Sequence, residues 1–488
     1  MNRKQLYITI ATSIAFLALN SYAISREFFL LPLLSVGVVL LYMLIYKLDT
    51  LLYIMAFATP FSIPFQNAKI NLSLSMPTEV IMVSATLLFV LRILYDLRYD
   101  RRVLKHPITL ALFGYLIWML ITCITSELPG VSFKYLASTL WLITSSYFLV
   151  ILLIRKKFQD AINYMSCYLA GLAIVIIIVT IKFALWGFPE RGMHWVMSPF
   201  YNDHTAYGAA IAFMLPFSIA FIFLKENTKQ RRIFYIATTL ILLMALYLSY
   251  CRAAWLSVII FTGVWLAIRM RIKFSWLLTG GALIFLTFFY FADDILYKME
   301  KNTQDSSGNF VEHVKSISNI KTDASNVERL NRWDAGFRMI KERPIAGWGP
   351  GTYQFLYAPY QRVKYRTIIS TNFGDVGSAH SEYIRPCVES GFIGLLTTVL
   401  LFFIVIYYGI TTHIRLKNHT ARLLTLAATL ALISYYTHGI LNNFLETDKL
   451  ALPYWGAIAI IVLMNLYLKE EKTNIESKQL KIKNYEQY

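Results

Sequence analysis

Residues 246–261 read LYLSYCRAAWLSVIIF. Arg252 stands between two apolar-rich runs, where a guanidinium buried in hydrocarbon without a partner or water costs several kcal/mol. A tight turn at a membrane surface removes most of that penalty. The two runs then become consecutive transmembrane helices, and the cation is aimed at whatever anion lies just outside the lipid.

The rest of the chain has the same character. Of 488 residues, 57% are hydrophobic and 15% charged, and the mean hydropathy is +0.53. Such a composition excludes an ordinary soluble core and indicates a polytopic membrane protein. Apolar runs long enough to cross about 30 Å of hydrocarbon fall at residues 6–24, 28–46, 48–66, 77–95, 107–124, 131–154, 161–185, 204–224, 233–250, 253–269, 274–292, 391–411, 421–441 and 450–468. The expected fold is therefore an all-α polytopic membrane protein of about fourteen transmembrane helices, within a range of twelve to fourteen.

The first run follows Arg3 and Lys4 and lacks a small-residue cleavage site at its end, so it reads as a retained span with the N-terminus inside. Alternation from there places Arg98, Arg101, Arg102, Lys105, Arg155 to Lys157, Lys229 to Arg232, Arg269 to Lys273 and Arg415 to Arg422 on the cytoplasmic side. Every strongly basic short loop then obeys the positive-inside rule, which accounts for most of the +18 net charge. The scattered basic residues lack the interleaved aromatics of a nucleic-acid surface, so no nucleic-acid partner is expected. Cys123, Cys167, Cys251 and Cys387 have no metal-ligand spacing and read as small buried thiols.

This register divides the chain into helices one to eleven over residues 1–292, a large external loop over 293–389, helices twelve to fourteen over 390–468, and a cytoplasmic tail over 469–488. The loop, between spans eleven and twelve, is expected to be partly helical. Within it Leu330, Trp333, Phe337 and Ile340 recur at spacings of three and four, giving an apolar stripe that can lie on the membrane domain or its interface. The turn chemistry of PIAGWGPGTYQF follows, where Gly347, Gly349 and Gly351 most simply permit positive φ.

The alternation sends several embedded polar residues to one face: Asn202, Asp203 and His204 opening span eight, Arg252 at the outer turn between spans nine and ten, His380 before span twelve, and His438, Asn442 and Asn443 closing span thirteen. Convergence on one face indicates a site at the external lipid boundary. Arginines there suit a diphosphate, since a planar guanidinium keeps its charge when partly desolvated. A neutral histidine can take a proton from an attacking hydroxyl. Arg191, in WGFPERGMHW, is a further external cation able to touch phosphate. Ser25, Arg26 and Glu27 of the first external loop contain no acidic pair for a divalent cation, so no metal is expected there.

Three motifs carry a family resemblance. YCRAAWLSV resembles the SR-containing turn of the O-antigen ligase and polymerase superfamily. ERLNRWDAGFRMIKERPIAGWGPGTY is similar to its R-L-x-x-W followed by P-x-x-G-x-G, and SAHSEYIRPCVESGFIGLL to its A-H-[NS]-x-Y ending in E-x-G-x-x-G. The resemblance implies catalytic roles for His380 as base, Arg252 as the arginine of the outer turn and Arg329 in the loop helix, with Arg332 its rival. Arg332, Arg191, His204 and His438 are the candidate substrate-binding residues. Cys251 departs from the common serine, and the region of Asp203 and His204 is variable in the family.

What the resemblance implies is a metal-independent, cofactor-free inverting glycosyltransferase of the bacterial inner membrane. Its site would face the periplasm, its donor would be a glycan on undecaprenyl diphosphate, and its acceptor lipid A-core. Repeat-unit polymerisation and protein O-glycosylation are the alternatives within the superfamily, and a polysaccharide or lipid transporter the alternative outside it. Membrane lipids are the remaining partners. Sugar, linkage and oligomeric state stay open.

Overall fold

The computed structural model describes residues 3–26, 30–67, 72–96, 99–155, 157–189, 192–272, 275–276, 279–280, 283, 324–362 and 377–485. In chain order the longer elements are α1 (Arg3–Ser25), α2 (Leu30–Tyr46), α3 (Leu48–Ala58), β1 (Ile63–Asn67), β2 (Leu72–Met76), α4 (Thr78–Asp96), α5 (Pro107–Ile124), α6 (Pro129–Ile143), α7 (Leu149–Ile154), α8 (Phe158–Leu185) and α9 (His204–Ile222). Then come α10 (Lys229–Leu248), α11 (Arg252–Arg269), α12 (Ala324–Glu342), α13 (Ile384–Arg415), α14 (His419–His438) and α15 (Asp448–Tyr485). Residues 1–55 form one compact unit and residues 56–488 another, and the candidate site lies wholly in the second.

Among the described residues, nine helices are long and apolar enough to cross a membrane. The chain is a mostly helical, multi-pass membrane protein. The expected count of about fourteen is not reached among these residues, and each difference has its own cause. The first three runs form shorter apolar helices, Ile10–Tyr22, Gly37–Tyr46 and Leu48–Phe61. The run at 48–66 is not one span, because a 3-10 turn at Thr59–Phe61, with Pro60 in it, ends the helix and the chain turns into the antiparallel hairpin β1–β2. Most of the run at 274–292 lies outside the described residues, as do 293–323 and 363–376 of the large loop. The run at 421–441 is the polar helix α14, in which Thr420, Thr425, Thr429, Ser434 and His438 are all buried.

Polar α14 is tolerated because it is enclosed by protein. It packs against α9, α11, α13 and α15. Thr425 and Thr429 return their hydroxyls to the carbonyls one turn back, and Ser434 Oγ meets Ser257 Oγ of α11 at 3.0 Å. Close approach rests on small residues, as in other membrane bundles. A Cβ on Gly409 would lie 2.3 Å from Thr429 Oγ1, and one on Gly208 of α9 would lie 2.7 Å from the Cβ of Cys251. The span at Asp448–Glu471, rich in Leu, Ala and Ile, is the most deeply enclosed of the nine. Its first turn anchors the hairpin region, with Ser62 Oγ donating to Asp448 Oδ2 at 2.5 Å and Lys449 Nζ to Ser62 Oγ at 2.7 Å, while Glu79 in the first turn of α4 accepts from the Ser75 N–H at 2.7 Å.

α13 contains one non-helical residue, Gly391, at φ 70° and ψ −172°. That conformation is accessible essentially to glycine alone. The break lets the Phe392 N–H donate to Pro344 O at 2.8 Å, and a Cβ on Gly391 would fall 1.9 Å from Ile345 O. Gly391→Ala is therefore expected to destabilise the fold by on the order of 2–4 kcal/mol. A melting temperature equal to that of the wild-type protein in the same detergent would refute this.

Candidate functional site

α12 is the amphipathic helix expected within the loop, but its inward face differs from the apolar stripe read from the sequence. Phe337 is 52% exposed, whereas Glu328, Asn331, Arg332, Ala335, Met339 and Ile340 are buried. The helix is rotated because Glu328 and Arg332, one turn apart, satisfy each other at 2.8 Å and so can be buried together. Below them Ala335, Met339 and Ile340 form one core with Tyr353, Tyr357, Ala379, Cys387 and Val388.

The turn after α12 is built as the glycines suggested. Gly347, Gly349 and Gly351 have φ of 69°, 112° and 76°. Gly347 and Gly349 also lie where a side chain would collide: a Cβ on Gly349 would sit 1.9 Å from Ser126 Oγ. Trp348 N–H donates to Val388 O at 3.1 Å, Gly349 N–H to Glu389 O at 2.8 Å, and Tyr353 N–H to Glu389 Oε1 at 3.3 Å. Trp348 O in turn accepts from the Glu127 N–H, so the turn bridges the α5–α6 connection and the start of α13.

His380 lies in the segment entering α13, with φ of 47°, a conformation that non-glycine residues rarely hold except where surroundings enforce it. Trp333 Nε1 donates to Ala379 O at 3.0 Å, His380 N–H to Ser378 Oγ at 3.3 Å, and Ser378 Oγ to Asn443 Oδ1 at 2.7 Å. The partly buried imidazole then meets Arg332 directly, Nη1 to Nε2 at 3.0 Å. Arg332 Nη1 also donates to Ser378 O at 3.0 Å. Arg329 lies one turn away on α12, its Nε donating to Leu441 O at 3.2 Å. The sequence left the two arginines as rivals; in the structure Arg332 is the one bonded to the imidazole.

Burial, then the charges of Arg332 and Arg329, hold the His380 imidazole down to about 3, against a weaker opposing pull from Asp203. The ring is neutral at pH 7. An unfolded imidazole titrates near 6.5, so between about pH 6.5 and 3 the unfolded chain binds more protons and stability rises with pH. His380's contribution is complete above about pH 6.5 and is lost as pH falls toward 3. Acidification from about pH 6.5 to about pH 5 is thus expected to lower the melting temperature of wild-type protein more than that of His380→Gln; parallel curves would contradict it.

Asp203 was read only as part of the polar face. It caps α9, accepting from the N–H groups of Thr205 at 2.7 Å and Ala206 at 2.8 Å and from Thr205 Oγ1 at 2.6 Å. Burial alone would raise its carboxyl; those bonds and neighbouring His204 keep it below the usual range. Asp immediately before an apolar helix is an N-cap signature, so this residue was findable. Its charge reaches both His380 and His438.

The remaining expected residues divide cleanly. His438 is buried at the end of α14 and pairs through Nε2 with Asn442 Nδ2 at 3.2 Å, within reach of the charges of Arg329, Asp203 and His204. Arg252 opens α11 directly after Tyr250, at φ 49°, and Cys251. Arg329's charge also acts on the buried Cys251 thiol, which burial pushes up to about 12. All four cysteines are unpaired thiols. Arg191 lies outside the described residues.

Glu382, Arg385 and Glu389 gave no sequence signal as a group. Arg385 bonds Glu389 Oε2 at 3.2 Å and Glu446 Oε2 at 2.7 Å and lies 4.7 Å from the Tyr135 ring centroid. Glu382 Oε1 accepts from Tyr435 Oη and from the N–H groups of Phe444 at 2.9 Å and Leu445 at 3.1 Å. These residues line a pocket with Tyr115, Trp118 and Trp455. Their bonds run to the connection after α14 and the glycine turn, so the network holds the loops that present His380.

Residues 237–399 match the family model described as O-antigen ligase. The chain carries a domain of the O-antigen ligase superfamily. The matched stretch contains Arg252, Arg329, Arg332 and His380, whereas Asp203, His204 and His438 lie outside it. The chain is also 22% identical over 265 residues to an uncharacterized protein of Haemophilus influenzae. That match covers 53% of this chain and 64% of the relative, so the chain spans just under two thirds of the relative's length. A neutral imidazole and two guanidiniums from the matched stretch, and the capped carboxylate of Asp203 from outside it, come from three separate elements to one end of the bundle. Their chemistry suits an anionic group beside a site for proton transfer.

Proposed function

We propose that the chain is a metal-independent, inverting glycosyltransferase that moves a glycan from undecaprenyl diphosphate to an acceptor hydroxyl at the periplasmic face of a bacterial inner membrane, with the C-terminus in the cytoplasm. The observation that carries this reading is the 3.0 Å contact between Arg332 Nη1 and His380 Nε2, with Arg329 beside it, in a domain of this superfamily. Arg329, Arg332 and Arg252 hold the diphosphate, whose charge grows as the glycosidic bond breaks. His380 receives the acceptor proton. Attack from the face opposite the diphosphate inverts the anomeric carbon.

The proposed acceptor is lipid A-core, which makes the protein a ligase. The supporting motifs describe donor handling, so the acceptor is tested genetically. A deletion strain is expected to accumulate long glycan chains not joined to lipid A-core; single capped repeats would indicate a polymerase instead. In vitro, purified protein given undecaprenyl-diphosphate-linked glycan and lipid A-core is expected to form the new glycosidic bond in the presence of a chelator. Movement of the lipid-linked glycan across vesicles without any new bond would overturn the enzyme reading.

A further inference from the structure

A guanidinium has five N–H donors and no acceptor, so its contact with His380 fixes the direction of the hydrogen bond. Arg332 donates and Nε2 accepts, which leaves the proton of the neutral ring on Nδ1. In this arrangement neither ring nitrogen can receive a proton: one lone pair is capped and the other nitrogen is already protonated. Arg332 itself is only partly spent. Its Nε is on Glu328 and both Nη1 hydrogens are on Ser378 O and His380, while Nη2 makes no hydrogen bond among the described residues. One edge of the guanidinium therefore restrains the imidazole, and Nη2 keeps its donors for an anion.

We propose that Arg332 is a latch on His380 that the donor's diphosphate opens. This rests on the function proposed above. A diphosphate oxygen is a stronger, charge-assisted acceptor than a neutral imidazole nitrogen, so it draws the Nη1 donor away and releases the Nε2 lone pair. The anion also offsets the two guanidinium charges that discourage protonation of the ring. The charged groups facing His380 are Arg332 and Arg329 from α12 and Asp203 from the cap of α9; Glu328 acts through Arg332, and the α14 side contributes neutral Asn443 through Ser378.

In the released state the acceptor O–H bond breaks and its proton forms an N–H bond at Nε2. The acceptor oxygen bonds to the anomeric carbon, and the electron pair of the broken carbon–oxygen bond leaves on undecaprenyl diphosphate. The resulting imidazolium faces that new negative charge until it loses its proton to water. Donor binding must then precede activation of the acceptor, and Arg332 is a positioning residue for the base as well as a phosphate ligand.

The test is carbethoxylation of His380 by diethyl pyrocarbonate, which needs an available ring lone pair, followed by peptide mass spectrometry of the full-length protein in detergent. Undecaprenyl diphosphate is expected to speed modification of His380 by about tenfold or more, the range set by loss of a charge-assisted hydrogen bond. Arg332→Gln is expected to reach the faster rate without ligand and to gain nothing further from it. An unchanged or slower rate with undecaprenyl diphosphate in the wild-type protein overturns the latch, and that arm needs no variant to fold. If glycan transfer occurs and requires His380 while its reactivity ignores both perturbations, the latch fails alone. If no glycosidic bond forms with active donor and acceptor, the proposed function fails.

Discussion

Replacing His380 with glutamine is expected to lower the rate of glycan transfer by about 10²- to 10⁴-fold, the usual contribution of a positioned general base. Glutamine retains a polar side chain able to accept from Arg332, so the loop around Ala379 and Ser378 should persist. KM for the lipid-linked donor should change little, because the phosphate contacts belong to the arginines rather than to the imidazole. Arg332→Gln should behave differently, raising the donor KM as well as lowering turnover. Both effects are read in one steady-state assay with purified protein. Near wild-type turnover in His380→Gln would remove the proposed mechanism.

Glu389→Ala is expected to give the largest loss of stability, about 3–5 kcal/mol, because it strands Arg385 in a buried environment without one of its carboxylates. It also frees the N–H of Tyr353 and removes the side chain that ties the glycine turn to α13. The double variant Arg385→Met with Glu389→Leu is expected to recover part of that loss, since a well-packed apolar pair can replace an ion pair of similar volume. Thermal unfolding in detergent measures both. If the single variant melts with the wild type, the network does not hold the loops as described.

Much of the architecture was legible because hydrocarbon imposes a local rule. A spanning segment must satisfy its own backbone, so length and apolar content along a single run reveal it. The rule failed at residues 48–66, where composition looked continuous but Pro60 ended the helix and the chain turned into a hairpin. It understated α14, whose threonines and histidine are affordable only because neighbouring helices enclose them. Among site residues, His380 and the loop arginines stood out through motif context. Asp203 was readable as a cap but not as a charge that reaches His380.

The division between Arg329 and Arg332 shows the limit most clearly. They lie three positions apart on one helix, so either could face the imidazole according to sequence alone. The expected stripe through Phe337 would have chosen a different rotation from the one observed. Burial of the Glu328–Arg332 pair, with Trp333 bonded to Ala379 O, selected Arg332 for His380.

By itself the sequence determined a helical membrane protein, the helix turn that carries Arg252 and the residue types available for anion binding and proton transfer. Those properties follow from short-range physics: apolar length, charge in flanking loops and the backbone freedom of glycine. Only the tertiary structure decided which guanidinium meets His380, which ring nitrogen bears the proton and which loops the Glu382, Arg385 and Glu389 network supports. Each depends on hydrogen-bond direction and distance between residues far apart in the chain, which local pattern does not encode.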